Sequence, residues 1–180
     1  MAYNVDLRAV QAPLKDRYRA DHATAQVVTA AQSVASDLSD PRHCAAAPTD
    51  FPDVVLRGGL HPAAGGDGTT PCSGDVLAAA LVICEESTLR SVAANMGLEL
   101  EDVHVEARIH WDFRGTMGVD REVPVAATKI DLRTRVRLAA GVDPDRARRL
   151  LQGAERYCST LQTLRAGVQD VETDFAIEEA

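Results

Sequence analysis

Apolar and polar residues alternate over 103–111: Val103, Val105, Ala107, Ile109 and Trp111 face one way, and His104, Glu106, Arg108 and His110 the other. A period of two is that of a strand with one face buried, the pattern of an antiparallel sheet. The same period returns over 128–138, where Ile130, Leu132, Val136 and Leu138 oppose Lys129, Asp131, Arg133, Arg135 and Arg137. A long connection, 112–121, joins these segments and carries Gly115 and Gly118.

Elsewhere the period changes to that of a helix. Residues 75–96 read as one long helix with Ser73 as N-cap, Asp75 in the first turn and Gly97 as the terminating glycine. Its first half, Val76 to Cys84, is apolar on all sides, as expected of a helix buried all round, between sheets or in a subunit interface. A second helix opens at Asp143 and Pro144, with Ala147, Leu150, Leu151, Ala154, Cys158 and Leu161 as its apolar stripe. Residues 13–20 suit a short helix with proline at its start, and 24–37 fit helix or strand alike. Residues 38–50, with Ser, Asp and Pro, read as a loop, and 53–60 as a short strand. The glycine- and proline-rich stretch 61–71 must be irregular. Val171, Thr173, Phe175 and Ile177 suggest a closing strand. Strands, long helix, strands, helix and strand, in that order, make an α+β fold rather than a doubly wound one.

With 180 residues and 46% hydrophobic residues, the chain suits one domain with its own core. The net charge of −8, with no basic block, leaves no electrostatic footprint for nucleic acid or an anionic membrane. The apolar run Val76–Ile83 falls short of the ~20 residues that span a bilayer. The start, Met1 to Asp6, lacks the features of a signal peptide, so the expected compartment is the cytoplasm. Stable structural disulfides are rare there, and paired cysteines are more often catalytic or metal-binding. Only Lys15 and Lys129 among 19 basic residues are lysines, a usage that suggests a G+C-rich bacterial source.

The candidate chemistry narrows to thiols. The run Gly65-Gly66-Asp67-Gly68 matches neither a dinucleotide fingerprint nor a phosphate loop, and reads as a structural turn. His104 and His110 share a strand face but lie about 20 Å apart on an extended chain, too far to share a metal. No CxxC or HxxxH spacing supports zinc around His61, Cys72 or Cys84, so no metal or cofactor is expected. There is no Gly-x-Ser-x-Gly elbow; a Cys–His pair involving His61 stays open. Cys84 and Cys158 each stand on the apolar face of a predicted helix, where a thiol is usually a small hydrophobe. Two such thiols, with arginines and carboxylates nearby in sequence, also fit a redox pair. Cys84 lies too deep in its helix to be activated by that helix's own dipole, so a side chain elsewhere, arginine first, would have to lower its pKa.

Three runs bear on that choice: Leu60 to Asp75; Leu77 to Cys84 with Thr88-Leu89-Arg90 and Gly97-Leu98; and Ala154-Glu155-Arg156-Tyr157-Cys158. With the turn Trp111-Asp112-Phe113-Arg114-Gly115 they resemble the OsmC/Ohr family of osmotically inducible and organic-hydroperoxide-resistance proteins, over roughly residues 50–175. Residues 1–50 stand outside the resemblance as an N-terminal extension of a single OsmC-like domain. The resemblance implies curved antiparallel sheets wrapped around a buried central helix in an intertwined homodimer, with sites at the subunit interface. It also implies a thiol peroxidase. Cys84 would attack a hydroperoxide and become a sulfenic acid, Cys158 would condense with it to a disulfide, and an external dithiol would restore both. The alternative is an OsmC-like interaction or small-ligand-binding protein with inert thiols.

The family's arginine and glutamate map onto Arg57, ahead of the glycine loop, and Asp75; Arg121 and Arg156 are next in line for the arginine. The chain departs from the family pattern at two places. Ser159-Thr160 replace the Pro-Val that follows the second cysteine, and Ser73-Gly74-Asp75 replaces a Pro-Glu-Glu-like run. The stripe position of Cys158 points it toward the long helix, so Cys84 and Cys158 of one subunit are expected to lie near bridging distance, leaving Cys44 and Cys72 unneeded.

Overall fold

The computed structural model describes residues 3–167 and 171–173. Its centre is α2, Ser73–Met96, the long helix expected from the sequence. It starts two residues earlier than predicted, and Cys72 rather than Ser73 is the N-cap. Asp75 accepts the Cys72 N–H at 2.8 Å, satisfying one of the donors a helix start leaves open. The far end closes as predicted at Gly97, in the left-handed conformation (φ 62°), and the Leu98 N–H reaches back to the Ala93 carbonyl at 2.9 Å.

One face of α2 is the spine of the core. Leu81, Glu85, Leu89 and Ala93 recur at four-residue spacing and are buried. The opposite face is not covered within the chain: Ala79 and Ala80 are exposed, and Ile83 is 69% exposed. The expectation of a helix buried all round is therefore met on one side only.

Strands β4, Leu100–His110, and β5, Lys129–Leu138, form the predicted antiparallel pair, with Val105 opposite Thr134 and Ile109 opposite Ile130. Their apolar face packs toward α2, with Val103, Val136 and Leu138 around one cluster and Ala107, Ile130 and Leu132 around another. The connection between them holds a single turn of helix, α3, Phe113–Thr116, capped by Asp112.

Helix α4, Pro144–Tyr157, begins where the sequence places it, with the Asp143 carboxylate accepting from the Asp145 and Arg146 N–H groups. It packs closely on α2: a Cβ added at Gly153 would stand 2.9 Å from Val92 Cγ1, so a larger residue there would have to displace Val92 at this crossing. The apolar stripe does not continue as one helix. At Cys158 the backbone turns extended (φ −70°, ψ 98°), and α5, Ser159–Ala166, starts afresh. Leu151, expected on the stripe, is 41% exposed.

The N-terminal part needs more correction. Helix α1 spans Leu7–Ala20, with Asp6 as N-cap and Pro13 inside it rather than at its start. The Asp6 cap nucleates the helix ahead of the proline. Helix α1 rests on α2 by polar contacts, among them Asn95 Nδ2 to Gln11 Oε1 at 2.9 Å, and just ahead of it the Tyr3 hydroxyl donates to the Leu98 carbonyl at 2.6 Å. Strand β1, Ala31–Ser33, resolves part of the ambiguous stretch as extended chain. The expected loop 38–50 contains a strand, β2, His43–Pro48, which pairs antiparallel with β1 and with β3, Leu56–Gly59. Cys44-Ala45-Ala46-Ala47 carries little intrinsic strand preference, and pairing on both sides overrides it. Of the expected closing strand, 171–173 are not in a strand, and Phe175 and Ile177 lie outside the described residues.

The glycine-rich stretch is irregular, as read, apart from one turn at Pro62–Ala64. It is tied to β2 by His43, whose ring meets Asp40 at 3.0 Å on one nitrogen and Asp67 at 3.2 Å and Thr69 at 3.1 Å on the other. Gly59 closes this junction, because a Cβ there would stand 2.5 Å from the Arg42 carbonyl oxygen. Its N–H donates to the Pro71 carbonyl, which delivers the chain to the start of α2.

Candidate thiol site

The break at Cys158 makes the site. Where α4 ends and α5 begins, the first N–H groups of α5 have no partners within the helix. One of them, on Thr160, donates to Cys84 Sγ at 3.5 Å, and the Ser159 hydroxyl lies 3.5 Å from the same sulfur. Cys84 thus sits against the N-terminus of a helix other than its own, where partial positive charge favours a thiolate. Cys158 caps that helix and packs with Leu81, Leu161 and Cys84 in one apolar cluster.

The two thiols differ in environment. Cys84 is partly exposed and Cys158 fully buried. Burial pushes the Cys84 pKa up, but the hydrogen bonds from Thr160, Ser159 and Cys158 outweigh it and bring the thiol down to about 7. Burial dominates at Cys158 and, with the neighbouring Cys84 and Glu85, pushes it up to about 12. At neutral pH one sulfur is a substantial fraction thiolate and the other holds a proton that it can donate to the first. All four cysteines are free thiols.

Ser159 and Thr160, the sequence's departure from the Cys-Pro-Val pattern, therefore supply the donors to Cys84. The activation expected from an arginine side chain comes within this chain from a hydroxyl and a backbone N–H. Arg57 lies exposed on β3, and among the described residues no cation is a cause of the Cys84 shift. Arg156 stacks on the Tyr157 ring at 5.6 Å. Asp75 stands nine residues before Cys84, about 13 Å along the helix axis, where it caps α2. The structure brings Cys84 and Cys158 together, and it brings neither Arg57 nor Asp75 to them within one chain. Nor does His61 join a cysteine: its Nδ1 accepts the Ala63 N–H at 3.0 Å and its ring lies against Phe113. Cys44 is exposed on β2 and Cys72 caps α2. Among the described residues no group of His, Cys, Asp or Glu is arranged to hold a metal ion, and no helix is long and apolar enough to cross a membrane.

One residue of this region escaped the sequence reading. Glu85, next to Cys84, is 4% exposed; its Oε1 accepts from the Thr134 hydroxyl at 3.3 Å, and its Oε2 has no partner. The available signal was its place at i+4 from Leu81 and i−4 from Leu89, on the buried face of α2.

The backbone resembles several solved structures. One is an organic hydroperoxide resistance protein OsmC from Legionella pneumophila (TM-score 0.56, 21% identity, 77% of this chain and 90% of that one). Another is an OsmC-like protein of unknown function from Vibrio cholerae (0.61, 13%, 77% and 94%). A third is an organic hydroperoxide resistance protein from Elizabethkingia anophelis (0.60, 14%, 79% and 91%). At these identities the likeness is one of fold. The chain matches none of the curated proteins. The model of the family described as OsmC-like protein matches residues 65–173, which include all of α2, the β4–β5 pair and both thiols, and the chain belongs to that family.

Proposed function

We propose that this protein is a thiol-dependent peroxidase that reduces organic hydroperoxides. The observation that carries this reading is the placement of Cys84 Sγ at the N-terminus of α5, hydrogen-bonded by Ser159 and Thr160 and packed on Cys158. A partly exposed thiol near pKa 7 is a nucleophile at neutral pH, and a buried neighbouring thiol is placed to resolve it. The Cys84 thiolate attacks the terminal oxygen of the hydroperoxide, forming Cys84–S–OH and releasing an alkoxide that protonates to the alcohol. The Cys158 sulfur then attacks the sulfenic sulfur, the S–O bond breaks, and water leaves with formation of the Cys84–Cys158 disulfide. An external dithiol returns two electrons and two protons by thiol–disulfide exchange. That the Legionella and Elizabethkingia proteins are organic hydroperoxide resistance proteins supports the same substrate class.

The working unit in this proposal is a cytoplasmic homodimer in which the exposed face of α2 is covered by a second copy. Arg57 and Asp75 contribute to Cys84 chemistry only if they come from that copy. The alternative, an interaction or ligand-binding protein with inert thiols, has one observation on its side: among the described residues no cation is a cause of the Cys84 shift.

A peroxidase assay with a dithiol reductant on wild type, Cys84→Ser and Cys158→Ser decides between them. Activity should vanish in Cys84→Ser, and in Cys158→Ser the sulfenic acid should persist and over-oxidise. A wild-type protein that keeps all its thiols in the presence of excess organic hydroperoxide would establish the alternative.

A further inference from the structure

We infer that Glu85 is the proton acceptor for Cys158 when the disulfide forms, a catalytic carboxylate additional to the two thiols. This deepens the peroxidase reading and rests on it. Among the described residues Glu85 is the one buried charged side chain. A carboxylate at that depth ordinarily has both oxygens partnered. Here Oε1 takes the Thr134 hydroxyl and Oε2 takes nothing.

The position of that oxygen gives it a use. Leu81 and Glu85 follow one another on the buried face of α2, one turn apart. Cys158 packs against Leu81 and against Cys84, the residues one turn before and next to Glu85 on α2, and the nearby carboxylate helps to hold the proton on that thiol. Cys158 has no exposed surface through which to hand its proton to solvent. Glu85 also lines a cavity of about 970 Å³, bordered too by Leu77, Leu132, Leu161 and Leu164, while neither cysteine lines it. Glu85 thus borders an open space that the buried thiol itself does not reach.

Of the other charged groups facing this region, Asp131 on β5 accepts from Lys129 and His110, Glu155 on α4 pairs with Arg165 of α5, and Arg133 lies opposite Glu106 in the β4–β5 register. In the resolving step the Cys158 S–H proton passes to Glu85 Oε2 as the S–S bond forms. The hydroxide released from Cys84–S–OH takes a proton from solvent and leaves as water, and the protonated Glu85 returns the Cys158 proton to solvent through the cavity it lines. The sulfenic sulfur is reduced and the Cys158 sulfur oxidised, one equivalent each, so no further redox partner is needed.

The test is a single-turnover reaction of the full-length reduced protein with tert-butyl hydroperoxide. Sulfenic acid is trapped by a cyclic dione and disulfide is counted as lost thiols, in wild type, Glu85→Gln and Glu85→Asp. In Glu85→Gln, sulfenic acid should accumulate while disulfide formation slows by about a hundredfold. That rate should then climb about tenfold per pH unit, since hydroxide becomes the base, more steeply than in wild type. Glu85→Asp should recover part of the rate, which a merely structural role would not produce. If Glu85→Gln does not fold, Glu85→Asp carries the comparison, because a carboxylate set back by one methylene should slow disulfide formation without slowing sulfenic acid formation. Variants that form the disulfide at the wild-type rate with the wild-type pH profile would overturn the role of Glu85 and leave the peroxidase reading intact. A wild-type protein that traps no sulfenic acid would instead remove that reading, a failure visible one step earlier.

Discussion

At the scale of single residues, the proposed chemistry depends on a sulfur placed against a helix other than its own. Cys84 is far from the start of α2, yet its Sγ takes a hydrogen bond from the second residue of α5. The consequence is measurable. The alkylation rate of Cys84 should rise as pH rises through about 7 and level off above it, since only the thiolate reacts. Thr160→Pro removes the donating N–H at a position in the first turn where helices tolerate proline, and should shift that midpoint upward. Ser159→Ala should do so as well. Midpoints that stay at about 7 in both variants would show that these hydrogen bonds do not set the thiolate. Asp75 belongs to the same scale but to a different task. Its carboxyl is held below the ordinary range by the hydrogen bonds from Cys72. A depressed carboxyl stabilises the fold above its unfolded pKa, and that stability is lost as pH falls through the folded one. Asp75→Ala should cost about 0.5–2 kcal/mol of unfolding free energy at neutral pH, the usual value of a lost helix cap. The alkylation rate of Cys84 in the same variant separates capping from catalysis: a slowed rate would return Asp75 to the site.

At the scale of elements, α2 is positioned from its start by the glycine-rich stretch, and that stretch by His43. The hydrogen bond to Asp40 raises the His43 pKa above its ordinary value, with Asp67 adding to it. The group is exposed, so the effect on global stability is small, but its sign is defined. The favourable contribution is fully present below about pH 6.5, the unfolded value, and fades as pH rises through the folded pKa. Amide exchange in 65–71 should therefore quicken above that range, beyond the intrinsic pH effect, and His43→Asn should abolish the difference. An exchange rate in this stretch that follows the intrinsic pH effect alone in wild type would dismiss the clamp. The break between α4 and α5 is the other element-scale feature. One residue of extended backbone at Cys158 turns a stripe into a site, because it exposes a fresh set of N–H groups to Cys84.

At the scale of the whole molecule, the open side of α2 is apolar and lies beside the site: Ile83 is 69% exposed, one residue from Cys84. In the proposed dimer a second copy is seated on this face. Sedimentation at micromolar concentration should give twice the 19.3 kDa chain mass, and Ile83→Asp should dissociate it. A well-folded wild-type species at the single-chain mass would sink the dimer. If Arg57 acts on Cys84, Arg57→Met should slow its alkylation in the dimer and leave it unchanged in the Ile83→Asp monomer.

The sequence by itself determined what local periodicity and punctuation encode. The β4–β5 pair follows from a period of two, the length of α2 from its apolar run and from Gly97, and the start of α4 from Asp143-Pro144. Each depends on residues close in the chain, and so does the family resemblance, which the match over 65–173 bears out. Strand β2 was not legible, because an alanine-rich segment becomes a strand only when neighbours pair with it. Nor was the source of the Cys84 shift. Residues 84 and 160 meet only once α4 has packed on α2 and the chain has turned at Cys158, and a donor that is a backbone N–H leaves no mark in side-chain identity. For the same reason nothing along the chain set Glu85 apart from its neighbour Glu86. The burial of Glu85, its unpartnered oxygen and its influence on Cys158 come from three elements closing around it, which no spacing along the chain records.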